Sequence, residues 1–354
     1  GSKLVLGAGT TLDIPAGDSE AGGADGSKVE LIVNGRLEVN GTSGSPVVFD
    51  SEEATQAEGD WYGIRVLSGA KGFLTGAVIQ HAYIGLAFTA VDSGLAKQCT
   101  FSANQSQDLA VGVYSGDYLT VDSCTVTVGA GIGIQLTNDG TGARVTNNVL
   151  TGNSSSTYGI RTLLESGSPT LSGNTISGLT NGEAIRITGG APIVTQNALT
   201  GCKYGISTTV GSYTVGDAAD TTKHNTITGH TTAGILADGA NATPAILTNN
   251  ISSNTYGVTI KSGANPNLGN ANQDGNNKFL SNSTYCIWNR NSTGTVSARG
   301  NYFGACGGGG FPVTCWNGNV DTNNYLCTAP FTQASFGHPG IVEIGSAQAL
   351  ALRA

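Results

Sequence analysis

The chain has 354 residues, 54 of them glycine, with 11% charged residues and no methionine. This composition excludes a helical bundle and points to turn-dense β structure, and aliphatic and aromatic residues recur too steadily for a disordered chain. The formal net charge is −8, the wrong sign for a nucleic-acid surface.

The charge is concentrated at the start. Residues 1–60 carry eleven acids against Lys3, Lys28 and Arg36, and eleven minus three accounts for the whole balance. A charge run of this kind is expected to be a solvated face. No run of about 20 apolar residues crosses a membrane. No leader is read in the sequence, whose opening Gly1-Ser2 has the look of a tag remnant, so secretion is not excluded.

From residue 61 onward a repeat takes over. A small residue followed by apolar-x-apolar recurs at Gly63, Gly85, Gly112, Gly133, Gly159, Ala184, Gly205, Gly234, Gly257 and Cys286. Successive spacings are 22, 27, 21, 26, 25, 21, 29, 23 and 29 residues. Between these lies a second marker: Cys99-Thr-Phe, Cys124-Thr-Val, Asn148-Val-Leu, Asn174-Thr-Ile, Asn197-Ala-Leu, Asn225-Thr-Ile, Asn277-Lys-Phe and Asn301-Tyr-Phe. The copy near Asn249-Asn250-Ile251 reads as one residue out of step. No segment shows a 3.6-residue period, and each repeat holds at least two short alternating strands. Leucine-rich repeats have a similar period, but their Leu ladder is missing.

Strands repeating at this period predict an all-β solenoid: a parallel β-helix of about 11–13 rungs, each stacked on the last at about 4.8 Å. Residues 1–60 are expected to form the first rungs, 61–304 the regular repeats, and 305–330 the last rung with its cysteine-containing loop. Residues 331–354 leave the pattern as a cap or a linker. Asn148, Asn174, Asn197, Asn225, Asn277 and Asn301 are expected to stack as a buried ladder of amides, with Cys99 and Cys124 filling the same column. Tyr62, Tyr158, Tyr204, Tyr256 and Tyr285 form another column, read as packing at a corner. Cys306, Cys315 and Cys327 cluster without a metal-ligand spacing, and one disulfide among them suits an oxidising compartment.

Three stretches carry a family likeness. Residues 31–64 contain two short strands, Pro46-Val-Val-Phe49, an acidic loop and Asp60-Trp-Tyr-Gly-Ile64. Residues 266–284 hold Leu268-Gly269 and Gly275-Asn-Asn-Lys-Phe279, and residues 299–330 hold Gly300-Asn-Tyr-Phe-Gly304 and Gly318-Asn-Val-Asp321. Over nearly its whole length the chain resembles bacterial right-handed parallel β-helix repeat proteins of the secreted and cell-surface type. It departs from them where Tyr302 and Phe303 replace a usual Trp. The resemblance implies an extracellular or cell-surface location, and it covers both enzymes and non-catalytic surface proteins.

The enzymes on this scaffold group their acids on one face, to bind calcium or supply paired carboxylates. The sequence has no Asp-Asp pair, no Gly-His-Gly and no Asp-Pro-His. His81, His224, His230 and His338 fall in separate rungs and turns and read as surface or turn residues. Asp217, Asp220 and His224 read as a solvated loop. No catalytic residue, metal ligand or cofactor is expected.

One surface stands out. The x of each Gly-apolar-x-apolar unit points outward, giving the column Arg65, Ala87, Tyr114, Gln135, Arg161, Arg186, Ser207, Leu236, Thr259 and Trp288. Tyr114, Gln135, Arg161 and Arg186, with Glu165 and Glu183 nearby, suit an extended anionic or neutral glycan. An ordinary solvated face with Arg–Glu pairs is the plainer reading. Trp288 and Arg290 are further outward candidates. The function expected is therefore a non-catalytic adhesive or carbohydrate-binding scaffold, whose partner is a polysaccharide or cell-surface glycan. A polysaccharide lyase or glycoside hydrolase on the same face is the alternative, and a trimeric tailspike-like spike the second alternative.

Overall fold

The computed structural model describes residues 2–89, 91, 93–113, 118–138, 142–304, 315–327 and 329–330. Strands of two to ten residues, rich in β-branched side chains, alternate with turns of Gly, Asn and Ser. The one helical element among the described residues is a single 3₁₀ turn, Thr221–Lys223.

Each circuit of the chain lays down up to three strands, one on each of three parallel sheets of ten, eleven and twelve strands. The first circuit gives Lys3–Gly7, Thr11–Ile14 and Glu30–Val33, and the second Arg36–Asn40, Val47–Ser51 and Gly63–Val66. Every pairing between successive circuits within these sheets is parallel, as in Arg161 against Arg186 and Leu171 against Val194. Eleven steps of about 4.8 Å make the twelve-stranded sheet about 50 Å long.

The inward side chains form one continuous core. In a middle rung, Ile160, Leu171 and Ile176 come from the three sheets and are fully buried, each contributing about 1.5–3 kcal/mol of burial. Because the strands are parallel and in register, each inward residue lies over its counterpart in the next rung. Like side chains therefore stack in columns.

The asparagine column uses this stacking. Asn148, Asn174, Asn197, Asn225, Asn249, Asn277 and Asn301 are all fully buried. The Nδ2 of each of the first six donates to the Oδ1 of the next at 2.8–3.1 Å. The same Oδ1 accepts the backbone N–H of the preceding ladder residue, as in Asn174 to Asn197 at 3.0 Å. The second Nδ2 proton goes to a backbone carbonyl one rung back, as in Asn174 to Val145 at 2.9 Å. A buried amide left unpaired costs about 1–3 kcal/mol, so the ladder makes these corners specific for Asn. Asn249 is a full member, which corrects its reading as out of step: the doubled Asn hides a ladder residue followed by the strand residue Asn250. Cys99 and Cys124 continue the column, with Cys124 N–H donating to Asn148 Oδ1 at 2.9 Å.

A second, mixed ladder lines the corner leading into the twelve-stranded sheet. Asn254 Nδ2 donates to Asn282 Oδ1 at 3.1 Å, His230 N–H to Asn254 Oδ1 at 3.0 Å, and Cys202 N–H to His230 Nδ1 at 3.3 Å. His230 lies in a turn, as expected, but it is 2% exposed, so it is an inward ladder residue and not a surface one. His338 lies outside the described residues.

One further expectation changes. Strand register places Ala110 between Ala87 and Gln135, and therefore Asp108, not Gly112, between Gly85 and Gly133 in the small-residue column. The small-apolar signature at Gly112-Val113 falls further along the same strand. A disulfide that the sequence did not suggest joins Cys315 to Cys286, one rung below, with Cα atoms 4.8 Å apart. Cys286 had been visible only as the small residue of its repeat. Cys327 is also disulfide-bonded, and Cys306 and residues 331–354 lie outside the described residues.

Candidate functional site

The outer surface of the twelve-stranded sheet gathers most of the outward candidates. Alternation sends Ile160 and Thr162 into the core and Arg161 out, while Tyr158, separated from them by the buried Gly159, is half-buried at the strand start, and the parallel register repeats this on each rung. Gln135, Arg161, Arg186, Ser207, Leu236, Thr259 and Trp288 consequently form one unbroken column. Tyr114 lies outside the described residues, and the place assigned to it in this column is held by Ala110.

Arg186 is held on both sides. Its Nη1 lies 3.5 Å from Glu183 Oε2 and 3.1 Å from Ser207 Oγ. The Ser207 hydroxyl donates to the same Glu183 oxygen. Glu183 and Arg186 are i,i+3 neighbours in one strand and Ser207 comes from the next, so the three lock two rungs together. Glu165 stands exposed two residues beyond its strand and forms no ion pair among the described residues. It does not join the arginines.

Arg161 makes no ion pair among the described residues. Its guanidinium lies 5.1 Å from the centre of the Tyr158 ring. Four other cations among the described residues lie on rings: Arg36 on Phe73 and Arg65 on Tyr62, which are also paired with Glu38 and Glu30, and Lys203, whose Nζ lies 5.5 Å from the Tyr204 ring, and Arg290, 4.5 Å from the Trp288 ring. Neither Lys203 nor Arg290 has a carboxylate partner among the described residues. A cation on a ring gains about 0.5–1 kcal/mol at an exposed site, and its polar edge stays open to a further acceptor.

The tyrosines are not a closed corner stack. They sit half-buried on the outer surface, and the register inserts Glu183 between Tyr158 and Tyr204, and Ala233 between Tyr204 and Tyr256. Only Tyr256 and Tyr285 follow directly, with ring centres 6.2 Å apart. Trp288 closes on them at 4.5 Å from Tyr256 and 6.1 Å from Tyr285. Asn317 Nδ2 donates to the Tyr285 hydroxyl at 3.0 Å. The result is an aromatic platform with Arg290 at its edge. Its Tyr members escaped sequence reasoning because a residue placed every rung looks the same whether its column faces in or out.

The surface is also basic on an acidic chain. Arg161, Arg186, Lys203, Lys261 and Arg290 stand on or beside it against Glu183 and Asp238, the latter paired with Lys261 at 2.9 Å. Elsewhere, Lys223 lies 3.3 Å from Asp217 and 3.6 Å from Asp220, closing that loop on itself. His81 Nδ1 lies 2.6 Å from Asp50 Oδ1, and Ser51 Oγ donates to Asp60 Oδ2 at 2.7 Å. These contacts tie the acidic loop to the solenoid wall. Among the described residues no group of three His, Cys, Asp or Glu side chains could hold a metal ion.

No curated protein and no solved structure matches the chain. The family model for the right-handed β-helix region matches residues 37–182 and again residues 153–303. Together these spans take in three quarters of the sequence, with the asparagine ladder and the basic outer surface inside them. The chain belongs to the right-handed β-helix family.

Proposed function

We propose that this protein is a non-catalytic extracellular β-helix that binds an extended anionic glycan along the outer surface of its twelve-stranded sheet. The observation that carries the reading is the set of three ring-stacked cations, Arg161, Lys203 and Arg290, none with a carboxylate partner among the described residues. From Tyr158 to Tyr285 they span six successive strands, five steps of about 4.8 Å or about 24 Å. A chain of pyranoses offers apolar ring faces to the aromatics, and acidic substituents complement the guanidinium forks. The oxidised Cys286–Cys315 pair supports an extracellular setting, because disulfides persist in oxidising compartments.

Glycan-array binding followed by calorimetry tests this. Acidic polysaccharides should bind, and Arg161→Ala and Arg290→Ala should each weaken binding about five- to tenfold, the loss of about 1 kcal/mol of charge-assisted contact. Retention of no acidic glycan would remove the reading. Depolymerisation of a bound polysaccharide, abolished by either substitution, would replace it with the enzymatic alternative that the family also accommodates.

A further inference from the structure

Two pairs of cysteines in this chain are stacked rung on rung, and they are in different oxidation states. Cys286 and Cys315 are joined. Cys99 and Cys124 are free thiols, each 1% exposed.

The two pairs share one kind of backbone bond, with the rung order reversed, and in the oxidised pair the Cys286 N–H also donates to Cys315 O. Cys315 O accepts the N–H of Ile287, the residue after Cys286, at 3.0 Å. Cys99 O accepts the N–H of Thr125, the residue after Cys124, at 2.9 Å. In parallel ladders this bond fixes two residues directly over one another, and Thr100 is paired with Thr125 in the adjoining strand. One rung of separation gave a Cα–Cα distance of 4.8 Å in the oxidised pair, inside the range of about 4.4–6.8 Å that a disulfide requires.

The two thiols are also disposed differently from the third buried one. Cys202 stands alone, and burial pushes its thiol up to about 11. The interaction between the two thiols lowers Cys99 against the effect of burial and, with burial added, raises Cys124. Each thiol also donates to a backbone carbonyl, Cys99 to Lys97 O at 3.4 Å and Cys124 to Ala96 O at 3.4 Å. Of the two, Cys99 is the one that lines a surface groove, with Thr42, Pro46, Thr75, Gln98 and Ser123, which makes it the nearer to an incoming reagent.

We propose that Cys99 and Cys124 are a redox-active dithiol, which a low-molecular-weight disulfide converts to a rung-to-rung cross-link. The Cys99 thiolate attacks one sulfur of the reagent, breaking its S–S bond and releasing one reagent thiolate. Cys124 gives up its proton, attacks the Cys99 sulfur and releases the second half of the reagent as thiol. Two electrons and two protons leave the dithiol and reduce one reagent disulfide to two thiols. The product staples two rungs in the N-terminal half, as Cys286–Cys315 staples two rungs near the C-terminal end.

The experiment treats the intact folded protein with oxidised glutathione, alkylates the remaining thiols after denaturation, and maps the peptides by mass spectrometry. The expected result is a cross-linked Cys99–Cys124 peptide pair, a mass lower by two hydrogens, and Cys202 still alkylated. In Cys124→Ser the same treatment should leave one glutathione on Cys99. Alkylation of both Cys99 and Cys124 after oxidation, or a glutathione adduct that persists on wild-type Cys99, would overturn the proposal. So would an adduct on Cys202 with none on Cys99.

Discussion

Replacing His230 by Asn should remove a specific acid lability from the fold. His230 lies in the mixed corner ladder, where Nδ1 accepts the Cys202 N–H at 3.3 Å and Nε2 faces the Leu199 carbonyl at 3.1 Å. A carbonyl can only accept, so Nε2 carries the proton and Nδ1 must be bare. Protonation would set a new N–H against the Cys202 donor. Burial accordingly lowers the imidazole from 6.5 to about 4. The unfolded chain takes up this proton near pH 6.5 and the folded chain does not until about pH 4. Stability is therefore fully present above pH 6.5 and lost as pH falls toward 4. At about 1.4 kcal/mol per unit the loss reaches about 3 kcal/mol. An Asn amide can accept from Cys202 and donate to Leu199, as Asn254 Nδ2 donates to Ile227 O one rung on, and it does not titrate. The assay is urea unfolding followed by circular dichroism at pH 7.5, 6, 5 and 4. The difference between His230→Asn and wild type should be flat above pH 7, where the smaller side chain costs about 1 kcal/mol. It should then swing by about 3 kcal/mol in the variant's favour by pH 4. Other titrating groups are common to both proteins and cancel. Parallel stability curves would refute a buried neutral imidazole at this position.

Asp108→Asn should act in the opposite pH range. Burial raises the Asp108 carboxyl well above its ordinary value, with Asn104 Nδ2 donating to it at 2.9 Å. A raised acid withholds stability as pH rises above the unfolded value of about 3.8, so the substitution should raise the urea midpoint at pH 7 and lose that advantage at pH 3. Asn197→Ala should cost about 3–5 kcal/mol. It orphans Asn174 above and Asn225 below, and leaves the Leu171 and Thr195 carbonyls unpaired. Thermal unfolding checks this, and a change within about 0.5 kcal/mol, typical of surface sites, would deny the ladder its structural role.

The solenoid was legible because its columns are written directly into the chain: a ladder amide must recur once per rung, and seven of them do. Register was legible only where the marker residues were the structural ones. At Gly112 a small-apolar sequence imitated the column that Asp108 fills, since a buried carboxyl where every neighbouring rung has Gly or Ala is not a pattern a period reveals. His230 was misplaced for a related reason. An imidazole can take an amide's place when one nitrogen donates and the other accepts, but residue type alone does not say which way it points. The Cys286–Cys315 bond escaped because its two halves sit in different repeats and meet only through stacking.

The candidate surface shows the same division. That Arg161 and Arg186 point outward follows from alternation, and both do. That one is locked and the other open depends on what the next rung supplies. Arg186 meets Ser207 and shares Glu183 with it, whereas Arg161 lies on Tyr158 of its own strand. Substituting Ser207 by Ala would take one of the two partners from Arg186 without touching Arg161. If the open cations are the ones that hold a glycan, Ser207→Ala should lower stability slightly and leave binding intact, while Arg161→Ala does the reverse. In a scaffold whose inward columns are fixed by stacking, function falls to the outward residues that the neighbouring rung leaves unpaired.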